Sequence, residues 1–367
     1  MEGFRAIFTD IPDPRDINAH HDLTEILFIA LAASLCGADS CVAFAEFGRA
    51  KEPLLREFLA LEHGIPSHDT FSRVLRHLEP QPLEAALTRF VAVLGQALGQ
   101  PPAGRVVAVD GKRLRGAYDK GCAHMAPIMV SAYLHETRMV LAQTRAPGCG
   151  EVKGVLDLLA LIALDGATVT GDALPCTRQT AAALRARGAD YVLTLKGNRS
   201  SLARDAAALF ARAGDGPPFA ECGASGHGRR EHRVAWVVPA PELATRHGFK
   251  DLAALGRIES WRQLGDGPET VQSRLFVLSR VMNPTELLAT VRAHWRIENN
   301  VHWQLDVVFR EDHCRTRKDN GPSNLAVLRK IALNLLQANP AKKSLHMKRQ
   351  RAGWDNTFLI ELLTHVR

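Results

Sequence analysis

The sequence predicts a mixed α/β protein: a sheet with helices on its faces, preceded by an all-helical segment and interrupted by a β-rich insertion. Three observations carry this reading. Apolar residues recur at helical spacing through the first hundred residues. Short apolar runs rich in valine then alternate with amphipathic stretches between residues 105 and 195. After a strand-like region, helical periodicity returns from Pro284. A chain of 367 residues exceeds what one core usually serves, so several domains are expected. We place them at 1–100 (helical), 101–215 (first part of the core), 216–284 (insertion), 285–340 (core continued) and 341–367 (a basic tail).

In the first segment, LTEILFIALAASLCG and SCVAFAEFGRAKEPLLREFLAL read as helices. Gly64, Ile65 and Pro66 then make a turn, and Ser67 or Asp69 caps a short helix. Its exposed face would offer His68, Arg73, Arg76 and His77. That pattern fits the second half of a helix-turn-helix and equally a solvated basic face. GQALGQPPAGR, residues 95–105, reads as a linker.

The next elements follow a definite order. Residues 106–109 form a strand ending at Asp110. Residues 128–133 and 139–143 form a hairpin around HETR, and 152–163 a helix. Residues 167–170 form a strand ending before Asp172, 177–187 a helix, and 191–195 a strand followed by Lys196, Gly197 and Asn198. In the ribonuclease-H-like fold, which has this order, the first and fourth strands lie side by side, bringing Asp110 and Asp172 together. HRVAWVV, RIESWRQL and SRLFVLS read as strands of the insertion. One helix from 284 to about 309 follows, then another in SNLAVLRKIALNLLQ. The tail carries Lys342, Lys343, Lys348, Arg349 and Arg351, a run that usually lies in solvent.

Composition narrows the function classes. The net charge is +7 with a pI near 9.2, which favours a polyanionic partner. No stretch approaches a membrane span, and the start lacks the long apolar centre of a signal peptide. A cytosolic protein is expected. The cysteines at 36, 41, 122, 149, 176, 222 and 314 form no CxxC pair, so neither a zinc ribbon nor a disulfide framework is favoured.

Three carboxylates stand out: Asp110, Asp172 and Glu298. Two divalent cations about 3.5–4 Å apart can activate the attacking oxygen and stabilise the leaving oxygen of a phosphodiester. Mg²⁺ needs only two or three carboxylates beside the substrate phosphate, and Mn²⁺ can replace it. Asp110 would bridge the ions, with Asp172 and Glu298 each holding one. A strand-end Asp alone more often caps a turn; the pair and the sheet order together argue for chemistry. His294, Glu298 and His302 are spaced by four and share a helix face. A zinc site there is disfavoured, because a straight helix spreads the outer two too far for one ion. A catalytic Glu flanked by phosphate-contacting His fits better. Lys112, Arg113 and Arg115 follow Asp110 directly. His227, Arg229, Arg230, His232 and Arg233 open the insertion. Both clusters are candidates for phosphate contacts. Trp295 and Trp303 read as packing residues. Trp236 and Trp261 are better candidates to stack on an unpaired base, although core burial is the favoured reading for each.

At these residues the chain resembles a DDE-class insertion-sequence transposase, of the subgroup that includes the H-repeat-associated proteins. The resemblance rests on DIPDPRDINAHHDLTEILFIALAA, VVAVDGKRLRG, TVTGDALPCTRQTAAALRARGADYVLTLKGN, HGRREHR and HWRIENNVHWQLDVVFREDHCRTRKDNGPSNLAVLRKIALNLL, which together span nearly the whole chain. It implies a ribonuclease-H-like core with a β-rich insertion between the second Asp and the Glu. It also implies two Mg²⁺ ions on Asp110, Asp172 and Glu298, and cleavage and joining of double-stranded DNA at terminal inverted repeats and a target. The helical 1–100 segment then serves DNA binding or association, Lys196 and Asn198 join the DNA-contacting residues, and a homodimer on paired ends is expected. Related transposases carry a Tyr, an Arg and a Lys around the Glu; here those positions hold Val291, His294 and Leu305. Glu311 and Asp312 remain outside candidates for the third carboxylate. The rival readings are an inactive or repurposed DNA-binding protein and a metal-dependent nuclease on the same fold.

Overall fold

The structure, a computed structural model, describes residues 2–16, 18–97, 104–117, 125–213, 220–226 and 229–364. Residues 98–103 of the expected linker, Cys122 and His227 lie outside these. Along the chain run α1 (Glu2–Phe8), α2 (Leu23–Leu35), α3 (Cys41–Ala50), α4 (Glu52–Leu55), α5 (His68–His77) and α6 (Pro80–Ala97). Then come β1 (Val106–Arg113), β2 (Ile128–Leu134), β3 (Met139–Arg145), α7 (Glu151–Leu159), β4 (Thr168–Gly171), α8 (Arg178–Arg185) and β5 (Asp190–Leu195). Next are α9 (Ser200–Ala213), β6 (Ala220–Gly226), β7 (Arg229–Pro239), α10 (Glu242–His247), β8 (Ala254–Leu264), β9 (Thr270–Leu278) and α11 (Pro284–His294). The chain closes with α12 (Trp303–Val307), α13 (Gly321–Ala338), α14 (Leu345–Trp354) and α15 (Asn356–Leu363). It divides into two compact units: Met1–Pro101 with Gly111–Gly150 and Glu298–Arg367, and Pro102–Asp110 with Glu151–Ile297.

Helix starts follow local chemistry. Asp22, Ser40, Ser67, Thr177, Asn283 and Ser344 each accept a hydrogen bond from the backbone N–H three residues on, satisfying a donor that the first turn leaves unpaired. Pro284 adds a preset φ at the start of α11.

The first unit is organised on α13, buried from Gly321 to Leu336. It packs on α2, α5, α6 and β3. The antiparallel hairpin β2–β3 lies beside the end of β1, in the order β3-β2-β1. β3 is therefore an edge, and its Val140 would leave a backbone amide and carbonyl unpaired. Asn334 of α13 serves both: Val140 N–H donates to Asn334 Oδ1 at 2.9 Å, and Asn334 Nδ2 donates to the Val140 carbonyl at 2.9 Å. Glu84 of α6 is buried and accepts from Thr144 Oγ1 and the Arg145 amide of β3.

The second unit is a sheet in the order β1-β4-β5-β9-β8-β7-β6. β1, β4 and β5 are parallel; the rest pair antiparallel. The first and fourth strands do lie side by side, as a ribonuclease-H-like core requires. The insertion does not form a sheet of its own: β9 pairs with β5 and carries the core sheet onward. Its apolar residues join Val192 of β5 and Leu287 and Leu288 of α11 in one cluster.

Three local expectations are corrected. β1 does not stop at Asp110 but runs on to Arg113. The helix expected over 284–309 is broken: α11 ends at His294, and a π-helical stretch, Glu298–His302, precedes α12. The tail is not a solvated run, because α14 and α15 dock. Buried Lys348 donates to the Leu336 and Asn339 carbonyls at the end of α13, and buried Arg349 to the Ser34 and Ala38 carbonyls at the end of α2. Positive side chains suit helix C-termini, where carbonyls lack partners. Lys342, Lys343 and Arg351 remain exposed. Among the described residues, no helix is long and apolar enough to cross a membrane.

Asn334→Ala leaves both Val140 groups unsatisfied and is expected to cost roughly 2 kcal/mol or more in denaturant unfolding. Burial pushes the Glu84 carboxyl up from 4.5 to about 7. Its folded form keeps a proton that its unfolded form has released, so this group's contribution to stability is full at acid pH and falls as pH rises towards 7. Unfolding of Glu84→Gln across a pH series should lack that decline; an unaltered slope would show that other groups set it.

Candidate active site

In the second unit, Val106 to Val109 pair in parallel register with Thr168 to Gly171. One residue beyond the Val109–Gly171 pair, Asp110 and Asp172 follow on strands spaced about 4.8 Å apart. The register places both carboxylates at the same end of the sheet. Gly171 is needed there: a Cβ on it would lie 3.1 Å from Pro175 Cβ and 3.2 Å from Leu193 Cδ2, against the turn that folds back over the strand end. Asp172 is half-buried, and the next strand supplies a cation: Lys196, just past β5, places Nζ 2.9 Å from Asp172 Oδ2. Arg274 of β9 adds a second. Burial draws its guanidinium below the usual value, Asp172 raises it and Arg233 lowers it.

His294, at the end of α11, hydrogen-bonds through Nδ1 to Thr170 Oγ1 of β4 at 2.9 Å. Through that nitrogen it fastens the helix to the strand that leads to Asp172.

In the first unit, Glu298 opens the π-helical stretch with its side chain half-exposed, and His302 Nδ1 lies 3.4 Å from Glu298 Oε2. His302 is buried at 8 %, so it backs the carboxylate and does not reach outward. A π-helical turn loosens the backbone ladder, and such turns recur at functional sites. Here Gln337 Nε2 donates to the Asn300 carbonyl at 2.9 Å, and Asn300 Nδ2 donates to the Tyr133 hydroxyl at 2.7 Å. These two bonds hold the stretch between α13 and β2.

Lys112 departs most from expectation. It is buried, and Nζ meets Asp306 at 2.7 Å, Asp312 at 3.1 Å and Glu311 at 3.3 Å. Burial alone would lower this lysine, but the three carboxylates outweigh it and raise it. Glu311 is fully buried; burial would raise it, but Lys330, Lys112 and Arg329 hold it below the ordinary range. Lys330 itself is drawn down by burial to about 8. Lys112 thus ties β1 to the segment after α12 and is not a phosphate ligand. Glu311 is enclosed among cations, which removes it as an outside candidate for holding substrate-side metal. Leu305 is core.

Of the other expected DNA contacts, Arg115 is 80 % exposed, 3.8 Å from Asp312, and Arg230 is exposed on β7. Arg113 is half-buried and donates to the Ala126 carbonyl. Asn198 and Arg229 have described backbone, but their side chains lie outside the described residues.

Of the tryptophans, Trp295 and Trp303 depart from expectation, and Trp236 follows the burial reading. Trp236 is half-buried beneath Arg257, 4.2 Å from the ring centre. Trp295 and Trp303, expected to pack, are 44 % and 54 % exposed. Trp295 lines a groove of about 510 Å³ in the second unit with Trp261, Arg233, Arg274, Arg292 and Arg296. Arg274 sits 4.5 Å over its ring. Sequence reasoning missed Arg274, Arg292 and Arg296 because they are scattered over β9 and the residues around α11, with no local cluster to mark them.

The chain matches the family described as "Transposase DDE domain" over residues 101–335, and one described as "DDE_Tnp_1-associated" over residues 5–91. It is 31% identical over 366 residues to "Putative transposase YncI" of Escherichia coli O157:H7, covering 96% of this chain and 92% of that one. It is 28% identical over 365 residues to "H repeat-associated putative transposase YhhI" of Escherichia coli (strain K12), covering 96% and 95%. It is 38% identical over 289 residues to "Uncharacterized protein in dhlA 3'region" of Xanthobacter autotrophicus, covering 76% and 95%.

Lys112→Met strands carboxylates that now share a buried cation, and is expected to cost about 3–5 kcal/mol. Chemical unfolding measures this; a loss below about 1 kcal/mol, as for an exposed pair, would mean the cluster is solvated.

Proposed function

The chain belongs to the DDE transposase family, alongside the H repeat-associated proteins, and from that premise we propose that it cleaves and joins DNA phosphodiesters at the ends of an insertion sequence. The observation that carries this is the register of β1 and β4, in which Asp110 and Asp172 each follow one residue beyond the Val109–Gly171 pair of neighbouring parallel strands. The carboxylates are hard oxygen donors of the kind Mg²⁺ prefers, two of them fixed by strand pairing, so the residues present fit a divalent ion. Asp110, Asp172 and Glu298 are the proposed ligands for two Mg²⁺ ions, with Mn²⁺ as a substitute. When bound, the ions neutralise charge at the scissile phosphate and acidify water. His302, against Glu298, restrains that carboxylate. Lys196, paired with Asp172, stands where it would also reach a phosphate oxygen of DNA bound at that carboxylate. Arg115, Arg229, Arg230 and Asn198 are the proposed backbone contacts, and the Trp295 groove supports a nucleic-acid partner on the second unit. Hydrolysis at each terminal inverted repeat would free a 3′-hydroxyl that attacks target DNA, carried out by a homodimer on paired ends.

Asp110→Asn keeps size and loses charge. Cleavage of end-sequence DNA in Mg²⁺ or Mn²⁺ should fall on the order of 10³-fold, as expected when several kcal/mol of charge stabilisation is lost. Duplex binding should stay near wild type. Wild-type cleavage without strand joining would indicate a nuclease, and binding without any cleavage an inactive relative.

A further inference from the structure

We propose that a cationic cleft in the first unit, formed by α3, α5 and residues 315–320, grips the sugar-phosphate backbone of duplex DNA. This rests on the transposase reading and adds a surface remote in sequence from the three carboxylates. The cleft measures about 890 Å³. Among the described residues, Arg76, Arg145, Arg315, Arg317 and Lys318 line it against a single carboxylate, Asp319. All but Arg76 of these cations are exposed. Gathering like charges raises the energy of the folded protein unless a polyanion offsets it.

The cleft is built and held. Arg76 Nε pairs with Asp319 Oδ2 at 2.7 Å, and the Asn320 amide donates to the Arg76 carbonyl at 3.1 Å. Buried Asn324 donates to the Leu75 and Leu78 carbonyls at 2.9 and 2.8 Å, fastening the start of α13 to the end of α5. Arg317 Nε donates to the Gly116 carbonyl at 3.1 Å. Gly116 permits that approach, since a Cβ there would lie 2.4 Å from the Cys314 carbonyl oxygen. The cations therefore stand on a fixed frame, and little ordering is needed on binding. Arg73 and His77, exposed on α5, extend the same basic character.

The lining also says which part of the nucleic acid fits. Among the described residues its lining contains no aromatic ring, so none of these offers a base a surface to stack on. Ser40, Ser72 and Thr316 offer hydroxyl donors among the cations. Cations with hydroxyls match phosphate oxygens, which position a duplex without reading its sequence.

The test is binding of the full-length protein to a short duplex of arbitrary sequence, by fluorescence anisotropy over a series of KCl concentrations. In Arg145→Gln/Arg315→Gln/Lys318→Gln, the slope of log K against log salt should become shallower by about 0.9 for each phosphate that the variant no longer neutralises. Lys342→Gln/Lys343→Gln/Arg212→Gln removes equal charge from exposed residues elsewhere and should leave the slope near wild type. Thermal melting of both variants checks that they fold. A wild-type slope in the cleft variant, or an equal fall in the control, overturns the proposal. If wild type shows no salt-dependent duplex binding, the transposase reading falls and takes this one with it. If wild type binds and cleaves while the cleft variant binds equally well, only the cleft fails.

Discussion

Polar side chains carried into the core by one buried helix hold the first unit together, and α13 is that helix. Its Asn324, Asn334 and Gln337 each act on a different neighbour, and its adjacent Arg329 and Lys330 act together on Glu311. Asn324 closes the end of α5, Asn334 the edge of β3, and Gln337 the π-helical stretch that begins at Glu298. Lys330 and Arg329 set the charge around Glu311. Leaving any of these polar groups unpaired in the interior would cost more than the hydrogen bond itself contributes. The apolar residues of α13 thus make the core of the first unit, and its polar ones dictate where the functional elements sit.

Charge is divided between structural and exposed roles. Lys112, Lys348 and Arg349 sit in basic-looking stretches of sequence, yet each is buried. One is enclosed by carboxylates and two cap helix ends. Arg349 is drawn down by burial to about 10 and lies 4.4 Å over the Phe309 ring. The cations left for a polyanion are those on loops and strand edges: Arg115, Arg230, Arg315, Lys318. A net charge of +7 therefore points to a partner without saying which residues meet it.

In the second unit the constraint is the ladder. Because β9 pairs with β5, and β5 with β4, the insertion is bonded into the sheet one strand away from the strand that leads to Asp172. Arg274 consequently lies close enough to Asp172 to feel its charge. An insertion on a flexible stalk would hold no such relation.

The sequence alone determined most of the elements and the family resemblance. Short apolar runs located β1, β4 and β5 and helical spacing located α8, to within a few residues, because parallel strands buried on both faces read as continuous apolar runs and a helix buried on one face repeats its apolar residues every turn. It also singled out Asp110, Asp172 and Glu298, since carboxylates at strand ends and on a helix are few. Tertiary structure alone decided which charges are spent. Whether Lys112 meets a phosphate or Asp306 depends on residues about two hundred positions away. The same holds for His294 on Thr170, for Trp295 exposed under Arg274, and for the cleft joined by Asn324. Periodicity reports the environment of a single element; which elements distant in sequence meet is set by packing, which no local pattern encodes.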